Sequence, residues 1–197
     1  MVTAVRAIVL AGLLLSRFED GAGAAQALRD SSGLQFLGFR AGARLEELSL
    51  HLRSAGGGAL RCKRSKADAR VSECRGVLLA QDGGSRIDLW VSAIDSLAGV
   101  MTLSGRVDSS QLANWRRILQ ERYGRVATRV QGSQSMLQWV RRGRMIRLTW
   151  RLEGMEKVAS VSLVDGHVLD NWGRARSRAA RSGGARATGT QPDNRTR

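Results

Sequence analysis

The chain is poor in proline, cysteine, histidine and lysine, and each shortage excludes something. One proline, Pro192, in 197 residues rules out a proline-rich linker or recognition segment. Two cysteines, Cys62 and Cys74, and two histidines, His51 and His167, do not form the clustered set of about three or four ligands that a zinc site needs. No apolar run approaches the roughly 20 residues of a membrane-spanning helix. No serine sits in a Gly-x-Ser-x-Gly elbow. The run Gly56-Gly57-Gly58 follows a helical pattern instead of opening one, and it lacks the Lys-Ser/Thr of a phosphate loop. Asp165-Gly166-His167 with Asp170 is the nearest approach to an acid–base cluster, and it reads as a turn. No RNP-type motif or helix-turn-helix signature is present. The expectation is a protein that is not an enzyme and has neither cofactor nor metal.

What the chain has is arginine. The formal net charge is +15, and all basic residues but Lys63, Lys66 and Lys157 are arginine. Arginine favours bidentate contact with carboxylate or phosphate. About 43% of the chain is apolar, enough for a packed core. Residues 1–27 read as a signal peptide: Arg6 supplies a positive start, Ala7 to Leu15 is apolar, and Ala22-Gly23-Ala24 and Ala25-Gln26-Ala27 are small-x-small cleavage patterns. Arg17, Glu19 and Asp20 make the segment before the cleavage site more charged than usual. At the other end, residues 173–197 carry seven arginines against Asp193 and no large apolar residue, which predicts a disordered basic tail.

Between these ends the periodicity predicts an α+β protein of two tandem units, each a short helix packed on antiparallel strands, able to join into one continuous sheet. The first unit spans residues 28–107. Leu34, Phe36 and Phe39 suggest a short opening strand. Leu45, Leu48 and Leu52 share a helical face over residues 43–55, with Glu46 and Glu47 in the first turn, where the helix dipole favours acids. Strands are predicted over 60–64, 70–79, 86–94 and 98–107. The second unit, residues 108–172, repeats the order. Asp108-Ser109-Ser110-Gln111 forms a capping-box signature, and Leu112, Trp115, Leu119 and Tyr123 share a face. Strands are predicted over 126–131, 136–141, 145–153 and 159–164, ending at an Asp165-Gly166 turn. Ile87-Asp88-Leu89 parallels Ile146-Arg147-Leu148, and Ala98-Gly99-Val100 parallels Ala159-Ser160-Val161. An offset of about 60 residues falls in the range of internal repeats.

Gly42-Ala43-Arg44-Leu45-Glu46-Glu47-Leu48, a glycine opening a short helix that strands follow, resembles the repeats of the beta-lactamase-inhibitor-protein fold. Small envelope lipoproteins of the outer-membrane assembly machinery share that fold. Arg44 stands in the region of the family's usual Thr, and no lipidated Cys follows the apolar N-terminal run. The resemblance implies a secreted or periplasmic interaction module.

Cys62 and Cys74 are equidistant from residue 68, so a hairpin turning at Lys66-Ala67-Asp68-Ala69 would set them opposite each other. In an exported protein such a pair reads as a disulfide; the alternatives are reactive thiols or two unpaired structural cysteines. The candidate binding surface is the basic hairpin Trp139 to Arg151. Arg141, Arg142, Arg144, Arg147 and Arg151 crowd one strand pair and its turn, with Trp139 as a stacking partner for an anionic ligand. The resulting expectation is an exported, periplasmic or secreted, binding or structural domain whose partner is an acidic protein or an anionic envelope component. A cytosolic nucleic-acid-binding protein and an enzyme of unrecognised type are the alternatives.

Overall fold

The computed structural model describes residues 33–79 and 85–187. The expected signal peptide over 1–27 and residues 188–197 of the basic tail lie outside the described residues. The fold is α+β. A two-stranded ribbon, β1 (Gln35–Phe36) and β2 (Phe39–Arg40), leads into helix α1 (Leu45–Ser54) and then strands β3 (Arg61–Arg64), β4 (Val71–Leu79), β5 (Arg86–Ile94) and β6 (Leu97–Val107). Helix α2 (Ser109–Tyr123) opens the second unit, followed by β7 (Arg129–Gln131), β8 (Gln134–Arg141), β9 (Arg144–Glu153), β10 (Glu156–Asp165) and helix α3 (Gly166–Ala187).

Both first helices form where the apolar spacing requires. Leu48 and Leu52 of α1 are buried, and Leu112, Trp115, Leu119 and Tyr123 of α2 are buried. Asp108 caps α2 by accepting the Gln111 backbone N–H at 2.7 Å. That bond is the first cause holding its carboxyl below the usual range. The reciprocal half of the capping box is not made: Gln111 Oε1 is buried with no hydrogen-bond partner.

The other eight strands form one antiparallel sheet in the order β3-β4-β5-β6-β10-β9-β8-β7. Each unit contributes four consecutive strands, and the last strands of the two units, β6 and β10, pair at the centre. Thr102 and Ser162, 60 residues apart in sequence, are Cα partners there, and their hydroxyls lie 3.2 Å apart. Two copies offset by 60 residues and related by a twofold axis would meet at this pair. Helices α1 and α2 cover one face. Leu89, Val91, Met101, Leu103, Leu137, Ile146, Leu148, Val161 and Leu163 point from that face into the core with exposures of 1% or less. Each such side chain contributes roughly 1.5–3 kcal/mol by leaving water. The edge strand β3 is fully exposed and reads RCKR; its charges discourage pairing with another chain.

The end of the chain departs from expectation. Asp165-Gly166 is not a turn into unstructured chain. It is a strand-to-helix junction, and α3 continues through residue 173, where a disordered tail was expected, to Ala187. The cause is local. The buried Asp165 Oδ1 accepts the backbone N–H groups of His167 at 3.0 Å and Val168 at 3.3 Å, capping the helix. Its Oδ2 takes Arg144 Nε–H at 2.7 Å. Two glycines make room: a Cβ on Gly42 would lie 2.4 Å from Asp165 Oδ2, and one on Gly166 would lie 2.5 Å from the Gly143 carbonyl oxygen. Once nucleated, a helix extends readily through Ala and Arg, both strong helix formers. Val168 and Leu169 pack beside Gly99 and Ile94, and Trp172 Nε1–H donates to Asp68 Oδ2 at 2.8 Å. The start of α3 therefore lies across the strand ends, from β10 to the β3–β4 turn.

Candidate functional site

The hairpin β8–β9 does not gather the expected arginine cluster on one face. Side chains alternate along a strand, and the register separates the group. Arg141 and Arg144 are Cα partners at the hairpin end, in phase with the buried pairs Trp139–Ile146 and Leu137–Leu148. They therefore project on the helix side. Arg141 Nη2–H donates to the Tyr123 carbonyl at 2.8 Å, and its guanidinium lies 5.5 Å from the Tyr123 ring centroid. Arg144 is committed to Asp165. Arg142 occupies the turn with φ 50°, and its carbonyl accepts His167 Nε2–H at 3.0 Å. Trp139 is only 4% exposed, and its Nε1–H donates to the Gly124 carbonyl at 2.7 Å. It is a core residue, closed to ligand stacking. Arg147 and Arg151 alone reach the opposite, outer face.

That outer face is where the two units combine. One row of Cα partners crosses seven strands: Arg61, Arg75, Trp90, Thr102, Ser162, Arg147 and Gln138. The adjacent row runs Val77, Asp88, Ser104, Ser160, Thr149 and Met136. The centre is a lattice of hydroxyls, all partly exposed. Thr102 and Ser162 meet at 3.2 Å, and Thr149 and Ser160 at 2.7 Å. Arg147 Nε–H donates to Gln138 Oε1 at 2.9 Å, which holds the guanidinium along the row. Among the described residues, only the start of α3, at one end, is layered on this face.

Several outer-face cations are neutralised. Arg86 pairs with Asp88, Arg106 with Glu156, and Arg151 with Glu153. Glu73 faces Lys63 as its Cα partner. Arg61, Arg75, Arg129 and Arg147 have no acidic side chain within ion-pair distance among the described residues. Two adjoining depressions share Arg86, Asp88 and Ser104. One, of about 600 Å³, is lined by Arg61, Arg75 and Trp90; the other, of about 890 Å³, by Arg106, Arg151 and Lys157. The acids at the strand ends are already engaged. The Trp172 N–H, then the Arg70 backbone N–H, hold the Asp68 carboxyl below the usual carboxylate range, and the Arg70 guanidinium does the same for Asp95.

Family models, curated proteins and solved structures were all compared with this chain, and none matches. The site therefore rests on its own geometry. Among the described residues no group of three or more His, Cys, Asp and Glu is placed to hold a metal ion. His51 and His167 each bond a turn carbonyl, His51 that of Leu37 at 2.8 Å and His167 that of Arg142. Cys62 and Cys74 are directly opposed on β3 and β4 and joined by a disulfide, with Cα atoms 3.9 Å apart. They are a staple at the sheet edge beside the outer-face row.

Sequence reasoning missed Arg75, Trp90, Thr102 and Ser162 as one surface. The signal was present strand by strand, because Asp88, Trp90 and Ser92 alternate against Ile87, Leu89 and Val91. What could not be read was which strands are neighbours.

Proposed function

We propose that the protein is an exported binding module whose open sheet face takes an anionic partner, an acidic protein or an anionic envelope component. The observation that carries the reading is the outer row. Among the described residues, Arg75 and Arg147 flank a hydroxyl-rich centre and lack acidic partners, on a face that no helix covers beyond its end. Unneutralised guanidinium groups on a flat surface bind carboxylate, sulfate or phosphate through charge-assisted bonds, and the field of a +15 chain speeds capture of polyanions. Support for export comes from the signal-like segment over 1–27, from the cysteine pair, which suits an oxidising compartment, and from the resemblance to envelope interaction domains.

The test must separate this face from bulk charge. Two variants of equal net charge serve: R75E/R147E on the outer face, and R125E/R178E on exposed positions elsewhere. On a sulfated matrix the first is expected to elute at markedly lower salt than the second. Co-elution of the two would remove the outer face as the anion-binding surface.

A further inference from the structure

The chemistry of the outer face narrows the class of partner. We infer that its ligand is an acidic polysaccharide, a chain of pyranose rings bearing carboxylate or sulfate, lying across the strands along Arg75, Trp90, Thr102, Ser162 and Arg147. This rests on the reading of the face as an anion-binding surface and adds what the anion is attached to.

Three observations carry it. First, the row has the right composition for sugar. Trp90 is a half-buried ring on the open face beside Arg75, and an aromatic face with polar edges suits the C–H face of a pyranose. Thr102 and Ser162 offer hydroxyls that can donate or accept, matching the mixed demand of sugar hydroxyls. Second, the spacing suits a linear polymer. Adjacent strands lie roughly 4.8 Å apart, so Arg75 and Arg147, four strands apart, are separated by about 19 Å. One pyranose is about as long as one strand step, so a chain crossing the sheet presents roughly one ring per strand and can set acidic groups at both arginines. Third, the face is poorly made for the competing polyanions. A peptide added to a sheet pairs with an edge, whereas the backbone groups of β5, β6, β10 and β9 are consumed by their own ladders. Among the described residues, the depression beside Trp90 is lined by the polar side chains of Arg61, Arg75, Arg86, Asp88 and Ser104, a poor seat for the aromatic or aliphatic anchor that dominates protein interfaces. Nucleic acid binding rests on neutralising many phosphates, and among the described residues the face leaves only Arg61, Arg75, Arg129 and Arg147 without an acidic partner.

The proposal is tested by calorimetric titration of the whole protein at fixed ionic strength. The ligands are polygalacturonate, dextran sulfate, polyglutamate and neutral dextran. Polygalacturonate or dextran sulfate is expected to bind, which also tells carboxylate from sulfate, and neutral dextran is not. W90L should weaken that binding about tenfold and W90F should restore most of it. R75Q/R147Q should weaken it about a hundredfold. Melting temperatures near that of the unsubstituted protein verify that the exposed-face variants fold. If polyglutamate binds as tightly as either acidic polysaccharide, or if W90L changes nothing, the polysaccharide assignment is overturned while the anion-binding reading survives. If no polyanion binds, both fall together.

Discussion

Replacing both cysteines by alanine is expected to destabilise the fold by about 3 kcal/mol, because the disulfide closes a short loop of separation 12 and so restricts the unfolded chain. Alanine is the right substitute, since Cys74 is fully buried and serine would bury an unpaired hydroxyl. For a domain of this size the loss corresponds to a fall in melting temperature of roughly 6–12 °C. Melting with and without a reducing agent checks it: the unsubstituted protein should shift, and C62A/C74A should not respond. Equal melting temperatures for the oxidised protein and C62A/C74A would show that the bridge adds nothing. Mass spectrometry of the protein from its native cell extends the same point to export. The expected species is oxidised and begins after Ala24 or Ala27; a chain starting at Met1 or Val2 would remove export from the proposed function.

The second large effect concerns Arg144 and Asp165. The Asp165 side chain is 2% exposed and that of Arg144 is 38% exposed, so the two partners are not equivalent. R144M leaves a buried carboxylate without its cation, and breaking such a pair costs about 3–5 kcal/mol. The lower end applies here, because two backbone N–H groups still bond Asp165. D165N leaves a guanidinium that water can reach and an amide oxygen that can still cap α3, so it should cost roughly 1 kcal/mol. The prediction is an order, R144M clearly below D165N in chemical denaturation midpoint. The reverse order would mean that the charge on Asp165 matters to the junction beyond its pairing with Arg144. Neither variant should alter retention on a sulfated matrix beyond its change in net charge, because Arg144 faces the helix side.

Much of the fold can be read locally. Alternation over Arg86–Ile94 marks the limits of β5, and the helical faces of α1 and α2 follow from leucine and aromatic spacing. The β3–β4 hairpin, with its cysteines in direct register, follows from the turn at Asp68. The site was not legible in the same way. A basic hairpin looks like a patch when its residues are counted along the chain. Strand alternation then sends Arg144 inward and Arg147 outward, and burial removes Trp139. The surface that replaces it depends on β6 pairing with β10, a contact between strands 60 residues apart that no local pattern encodes. The extension of α3 was hidden for a different reason. Arg-rich, glycine-containing sequence resembles solvated chain in composition, yet a capped nucleus at Asp165 changes its preference.

The central claim is that the outer face, and not the hairpin turn or the basic helix, receives the anionic partner. Amide chemical-shift mapping during titration with dextran sulfate addresses it most directly. Shifts are predicted to centre on Arg75, Trp90, Thr102, Ser162 and Arg147, with the helix side unchanged. Shifts centred on Arg141 and Arg142, or on Arg174 to Arg181 of α3, with the outer row silent, would contradict it.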